Sequence, residues 1–586
     1  MWGGHSRPPP LTPSSHPDPH HPPNAVILRK RRPSQSECLP TKDLCTTFAT
    51  IQLSFFRSGI LSRQWVKVKM PKALSEVRKA KTRRSRSKAA APNAANSVSY
   101  LLSDYPRTLF PLSTTRVIAE TWGQQVLEYI YQKVLNPAEK EHSFLAQARC
   151  YSSKQGFHLR RTVKLDPVAE LFIYDLTYRN RLLFRKDFSS SRRTFGYRFE
   201  NGEPLSPTKS YAAFKAAITE ARQQYQHMVT FDVAAYFNSI YHHDLVRWFS
   251  ELQASGDDVE HFGQFLREVN SGRSVDCLPQ GIHPCKLIGS EFLKFVDNSM
   301  KLKADLSLRF MDDFYLFSDS EETINADFVV VQQLIGEKGL SVNPAKTSYE
   351  GASGEDISNQ IDAIKVGLLK ARRIVIEVSG LEFAGEGEDE EKVLSEEQTQ
   401  YLLNLLKDPD VEESDAELVL VLLRDHGEDV LSQLDGFLRR FPGLSRNVYH
   451  FAKHVEDKEE LAQVIHSFVS DEAYATEDQL FWMAKLSEEF LGNTGRFRDI
   501  LWSIYQHPNA TDISRSKILE IPEQRFGMPE MRDEHLRVGR SDWPAWSSAV
   551  GCRSAPRISR NHSLTYFGKA SPMNRLIAEC VASIGK

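Results

Sequence analysis

LRFMDDFYLF, Leu308 to Phe317, sets two adjacent carboxylates, Asp312 and Asp313, inside a run of aromatic and aliphatic residues that otherwise patterns as buried strand. Two ionised carboxylates about 4 Å apart repel by roughly 4 kcal/mol at an effective dielectric near 20. A positive charge is therefore expected beside them. The pattern of SLRF, then MDD, then FYLF predicts a strand, a tight turn with aspartate at its tip, and a returning strand. Aspartate is common in turns, so this hairpin alone reads as structure. A third carboxylate on a second strand end changes that reading. In HMVTFDVAAYFNSIYHHDLVRWF, Asp232 closes an apolar strand, followed by a turn and an amphipathic helix beginning near Tyr241. Asp232, Asp312 and Asp313 together could bind two magnesium ions about 3.5 to 4 Å apart, which would relieve their repulsion and serve phosphoryl transfer. Magnesium takes one or two carboxylates plus substrate phosphates, so the implied substrate is a nucleoside triphosphate.

The rest of the composition is ordinary. The chain has 586 residues, 41% hydrophobic and 26% charged, which suits a globular protein long enough for two folded domains. No segment approaches the roughly 20 apolar residues that span a bilayer, so no membrane partner is expected. Cysteines 38, 45, 150, 277, 285, 552 and 580 form no CxxC pair and no zinc spacing, which argues for reduced thiols and a cytoplasmic protein. Net charge is only -2 but is unevenly spread.

Residues 1–69 are rich in Pro, His and Ser without periodicity and read as disordered, or as an extension ahead of a true start at Met70. Residues 70–99 form a basic arm suited to a solvated tail or to nucleic-acid phosphates. From 100 to 383, helical and strand patterns mix, with TTRVIAETWGQQVLEYIYQKVL helical and QHMVTFDV and RRIVIEVSG strand-like. Residues 384–400 are an acidic linker, and 401–586 read as successive helices without a strict repeat.

Five blocks in order carry a family resemblance: RRTFGYRFENGEP, FDVAAYF, LPQGIHPCKLIGSEFL, FMDD and GLSVNPAKT. The chain resembles a reverse transcriptase over roughly residues 100 to 380. The resemblance implies an α+β fold, a right-hand polymerase with fingers and a palm built on a ferredoxin-like sheet, here followed by an α-helical C-terminal domain. It implies an RNA-directed DNA polymerase that uses two Mg2+ ions, with Mn2+ also compatible with all-oxygen ligands. Its partners would be an RNA template, the DNA product and dNTPs. Asp232, Val233, Asp312 and Asp313 would be metal ligands, the three aspartates being catalytic. Ala235 and Tyr236 would offer backbone N–H groups to the triphosphate, and Phe237 would gate against a 2′-hydroxyl. Gln280 and Gly281 would pack on the nucleotide and template, where glycine permits close approach. Arg198 would be the fingers cation on the triphosphate and Lys346 the lysine near the leaving pyrophosphate.

Two positions depart from the family pattern: Cys285 stands where a serine is common, and Phe310 replaces the commoner tyrosine before the aspartate pair. Both concern primer or template handling. The layout is most similar to bacterial phage-defence, abortive-infection reverse transcriptases, some of which are protein-primed, untemplated or oligomeric. Alternatives are a group II intron or retron-type enzyme with a dedicated RNA, and a non-catalytic RNA-binding scaffold. Arg557 and His562 repeat the Arg-x4-His spacing of HEPN ribonucleases, but the stretch reads better as helix surface; Trp543 and Trp546 read as packing anchors.

Overall fold

The computed structural model describes residues 94–184, 189–271, 276–350, 396–407, 411, 413–471, 475–522 and 529–585. The expected N-terminal extension, nearly all of the basic arm, the strand RRIVIEVSG and most of the acidic linker lie outside the described residues. The strands are β1 (Ala148–Ser153), β2 (Leu159–Lys164), β3 (Arg192–Phe195), β4 (Phe199–Glu200), β5 (Glu203–Pro204), β6 (His227–Asp232), β7 (Leu306–Phe310), β8 (Asp313–Ser318) and β9 (Ser348–Glu350).

Numbering helices of at least eight residues, the first part of the chain has α1 (Ala94–Asp104), α2 (Ser113–Tyr129), α3 (Pro167–Arg179), α4 (Pro207–Gln224), α5 (His242–Glu251), α6 (Gly256–Val269), α7 (His283–Phe292) and α8 (Glu321–Gly336). The later part has α9 (Glu396–Lys407), α10 (Glu413–Leu422), α11 (Lys458–Val469), α12 (Glu477–Phe490), α13 (Phe497–Gln506), α14 (Asp512–Leu519), α15 (Pro529–Val538), α16 (Trp543–Gly551), α17 (Arg557–Phe567) and α18 (Pro572–Ser583).

The expected hairpin forms. β7 and β8 pair antiparallel with Phe310 opposite Asp313, so Met311 and Asp312 are the whole turn. They are the middle of a five-stranded sheet ordered β3-β7-β8-β6-β9, in which only β3 and β7 run parallel. Alternating side chains split the sheet into two faces. Met228, Leu308 and Phe317 pack under α4 through Phe214, Ala217 and Ile218, whereas Val229, Phe231, Phe314 and Leu316 join the main core with Ile324 and Val331 of α8. β1 and β2 form a separate hairpin, and β4 and β5 a short one.

Beyond residue 396 the described residues are helical. Neighbours two apart in sequence pack together, α11 on α13, α12 on α14, α14 on α16 and α16 on α18. That is the contact pattern of a stacked array of helix pairs. Trp543 and Trp546 are both buried, edge to face at 5.4 Å, and Trp546 Nε1 donates to Asn574 Oδ1 at 3.1 Å. The array also packs on the first part of the chain, α16 and α18 against α2 and α12 against β1. Among the described residues, no helix is long and apolar enough to cross a membrane.

Candidate active site

The antiparallel ladder between β6 and β8 puts Asp232 directly opposite Asp313. Like charges in that relation are destabilising. Asp312 follows in the turn, and its carbonyl accepts from Val233 N–H at 3.3 Å, which carries the ladder one step beyond the strands. The three carboxylates thus share one end of the sheet. Burial, then the charge of Asp313, pushes the Asp312 carboxyl up to about 6, and burial with Asp232 raises that of Asp313.

The expected positive charge beside the turn is present in Lys346, which acts on Asp313 and bridges Asp232. Beneath the turn, fully buried Arg309 donates through Nη1 to Met311 O (2.7 Å) and through Nε and Nη2 to Asp297 Oδ2 (2.8 and 2.5 Å). Above it, Lys346 Nζ lies 2.7 Å from Asp232 Oδ2. Lys346 is brought there because 341–343 runs alongside 232–234: Ala234 N donates to Ser341 O (2.8 Å) and Asn343 N to Asp232 O (2.9 Å). The other oxygen of Asp232, Oδ1, is buried with no hydrogen-bond partner.

Two residues beside the aspartates hold a left-handed backbone without being glycine, Ala235 (φ +46°) and Met311 (φ +58°). Such conformations are retained where the surroundings over-determine them, often at working sites. Ala235 opens the short helical turn Tyr236–Asn238, whose first N–H groups have no partner within the turn. Tyr236 is buried and donates to Gly289 O at 2.6 Å. Phe237 is also buried and meets the same glycine of α7, where a Cβ would lie 3.3 Å from both rings. Gln280 and Gly281 precede α7. Gly281 has φ +105° and a Cβ there would overlap Leu109 at 2.6 Å, so both conformation and space demand glycine.

Arg198 lies between β3 and β4, half-buried, with Nη1 3.5 Å from Thr194 O. Other cations act on the aspartates, from a hairpin that sequence reasoning passed over. Thr162 of β2 donates to Gln280 O (3.3 Å), and Arg161 O accepts from Asn238 Nδ2 (3.3 Å), so the β1–β2 hairpin is tied to two of the candidate blocks. Arg160 of β2 and Lys154 at the hairpin's turn both feel the charge of Asp312, and Lys154 that of Asp232 as well. Burial is the main cause holding both below their ordinary pKa. The signal in the sequence was the density of cations in KQGFHLRR, Lys154 to Arg161, but nothing local linked it to aspartates 70 to 160 residues away.

Residues 186–367 match the model of the family described as reverse transcriptase (RNA-dependent DNA polymerase). The chain carries a reverse transcriptase domain. By that domain it is an RNA-directed DNA polymerase, and all three aspartates fall inside the match. No curated protein matches the chain. Among solved structures, an apo telomerase from Candida tropicalis is 12% identical, covering 68% of this chain and 71% of that one at a TM-score of 0.27. A Candida albicans telomerase in complex with a fragment of telomeric RNA is 11% identical, covering 70% and 66% at 0.28.

Reverse transcriptase domains work with divalent cations. Among the described residues, no three His, Cys, Asp or Glu side chains form a ready-made metal group. The aspartates nonetheless fit such an ion in their chemistry: all donors are oxygen, one buried acceptor has no partner, and Lys346 bridges only one oxygen of Asp232.

Proposed function

We propose that the reverse transcriptase domain polymerises DNA at Asp232, Asp312 and Asp313, which would hold two divalent ions, magnesium in the first place, together with the backbone of Val233. When bound, such ions activate the attacking 3′ hydroxyl and stabilise the leaving pyrophosphate. The chain's own groups do the rest. The charge of Asp312 reaches Arg160 and Lys154, and Lys346 bridges Asp232, so a triphosphate held at the aspartates would lie among these cations. We assign the fingers role expected of Arg198 to these hairpin cations first. Lys346 is placed to leave Asp232 for the pyrophosphate, and the start of the Tyr236 turn to give N–H groups to phosphate oxygens. Phe237, braced by Gly289, would form the floor under the sugar. Gln280 and Gly281 would lie against the base pair, the role the resemblance gives them.

The convergence of three aspartates at one sheet end inside the family match carries this reading. The test is incorporation of labelled dNTPs by the full chain with magnesium, with and without RNA template and primer. Loss of product in Asp312→Ala, Asp313→Ala supports it; equal product from that variant overturns it. By layout we place the chain with phage-defence enzymes, and the helical region after the polymerase domain supports this. Label that stays on the protein until protease treatment would mark protein priming. Lower phage plating on cells expressing the wild type than on cells expressing the aspartate variant would mark defence, and equal plating would remove that role.

A further inference from the structure

Among the described residues, no third strand pairs with the outer edge of the β1–β2 hairpin. On that edge Tyr151 N donates to Glu477 Oε2 at 2.9 Å and Ser153 N to Asp478 Oδ2 at 3.2 Å, while Ser153 Oγ meets Thr476 Oγ1 at 2.8 Å. These three partners are the cap and first turn of α12, more than 320 residues further along the chain. Glu477 and Asp478 are both buried. Glu477 is fixed from behind by the Thr511 hydroxyl, and Thr476 and Gln479 close a reciprocal capping box. The turn Pro442–Leu444 packs on the tip of the same hairpin.

Two adjacent buried acids are an expensive way to finish a strand edge. A polar neutral pair would satisfy the same N–H groups. What the acids hold is closely coupled to the active site: Lys154 directly follows Ser153, and Arg160 pairs with Ser152 in the hairpin register. These two cations sit on a hairpin hydrogen-bonded to Gln280 and Asn238 beside the site, and are one residue or one rung away from the anchored amides. A shift of about 1 Å in that edge would displace both, and misplacement on that scale is enough to change function.

We propose that Glu477 and Asp478 are positioning residues for polymerisation: by fixing the outer edge of β1 they set the position of Arg160 and Lys154 on the hairpin beside the site, so the helical region sets nucleotide affinity. This rests on the assignment of those two cations to the triphosphate. The test uses the full chain with dTTP on oligo(dT)-primed poly(rA), comparing Glu477→Ala, Asp478→Ala with Glu477→Gln, Asp478→Asn, with Arg160→Ala, and with Arg160→Ala added to the alanine pair.

The alanine pair is expected to raise KM for dTTP about tenfold with kcat within about twofold, because charge-assisted hydrogen bonds are lost away from the reacting atoms. Amide hydrogen exchange at Tyr151 and Ser153 should quicken in the same variant. The amide pair, which keeps the acceptors, should recover most of the affinity, and adding Arg160→Ala to the alanine pair should raise KM no further. Wild-type KM in the alanine pair, beside a raised KM in Arg160→Ala, overturns the positioning role alone. Wild-type KM in Arg160→Ala overturns the triphosphate assignment and the proposal with it. If the alanine pair does not fold, Ser153→Ala carries the same prediction at about twofold, and an unchanged KM there overturns it.

Discussion

At the end of the five-stranded sheet Asp232 faces Asp313 across the ladder, Asp312 is forced toward its neutral form, and one oxygen of Asp232 meets no partner. In the helical region a second charged cluster is built quite differently. Buried Lys517 lies 2.6 Å from both Glu488 Oε2 and Glu520 Oε1, and the other oxygen of Glu520 accepts from Thr114 N (2.7 Å) and Thr114 Oγ1 (3.0 Å). Arg553 donates to Glu520 O at 2.8 Å. Burial opposes the Lys517 charge, but the two glutamates outweigh it and hold the ammonium protonated. One cluster closes its charges on itself and joins α14 to α2; the other leaves charge open. Open charge in a protein that could have closed it marks the place where something else is to bind.

The contrast can be broken at either end. Replacing Asp312 by Asn should abolish incorporation, a loss of about a thousandfold or more, while thermal unfolding occurs no lower than in wild type, because a repulsion is removed; a clear drop in melting temperature would mean that the aspartates also hold the fold. Lys517→Met should do the reverse where it folds, lowering stability by about 3–5 kcal/mol in denaturant unfolding because two glutamates lose their cation. A loss below about 1 kcal/mol would show the cluster to be weakly coupled.

Phe237→Ala tests the floor of the site by sugar selectivity. Incorporation of rNTPs relative to dNTPs should rise by about tenfold or more, and unchanged selectivity would remove the gate role. The smallest effect is in pH. Burial pushes Glu477 and Asp478 each up to about 7, with Asp512 adding to the first and Glu477 to the second, and Arg446 opposing. Their folded values exceed the unfolded ones, near 4, so their favourable contribution is complete below about pH 4 and is lost as pH rises through 7. Between pH 5 and 8 the wild type should lose more melting temperature than Glu477→Gln, Asp478→Asn; parallel profiles would show that these acids do not titrate in that range.

The aspartates were legible in the sequence because each depends on a short local pattern, a strand closing on an acid or a two-residue turn between strands. Lys346 and Phe237 were legible through motif spacing alone; the structure adds the bridge to Asp232 and the packing on Gly289. Arg309 was hidden in plain view, inside the opening stretch itself, because a cation in an apolar strand has no local sign of its partner Asp297. The hairpin cations showed only as a local density of positive charge, and nothing in the sequence tied them to the aspartates or to their carboxylate anchors. Tyr151 and Glu477 are 326 positions apart, and neither segment departs from ordinary strand or helix-start chemistry.

The two-residue turn at Met311 and Asp312 also fixes what kind of change the site can survive. Side chains on a strand alternate faces, so a single residue inserted or deleted between Leu308 and Phe317 would turn Asp313 away from Asp232 and carry Phe314 and Leu316 out of the core with it. Substitutions test one contact at a time, whereas a change of length rewrites both layers at once. Over this segment, chain length constrains the site more strictly than the identity of any one residue.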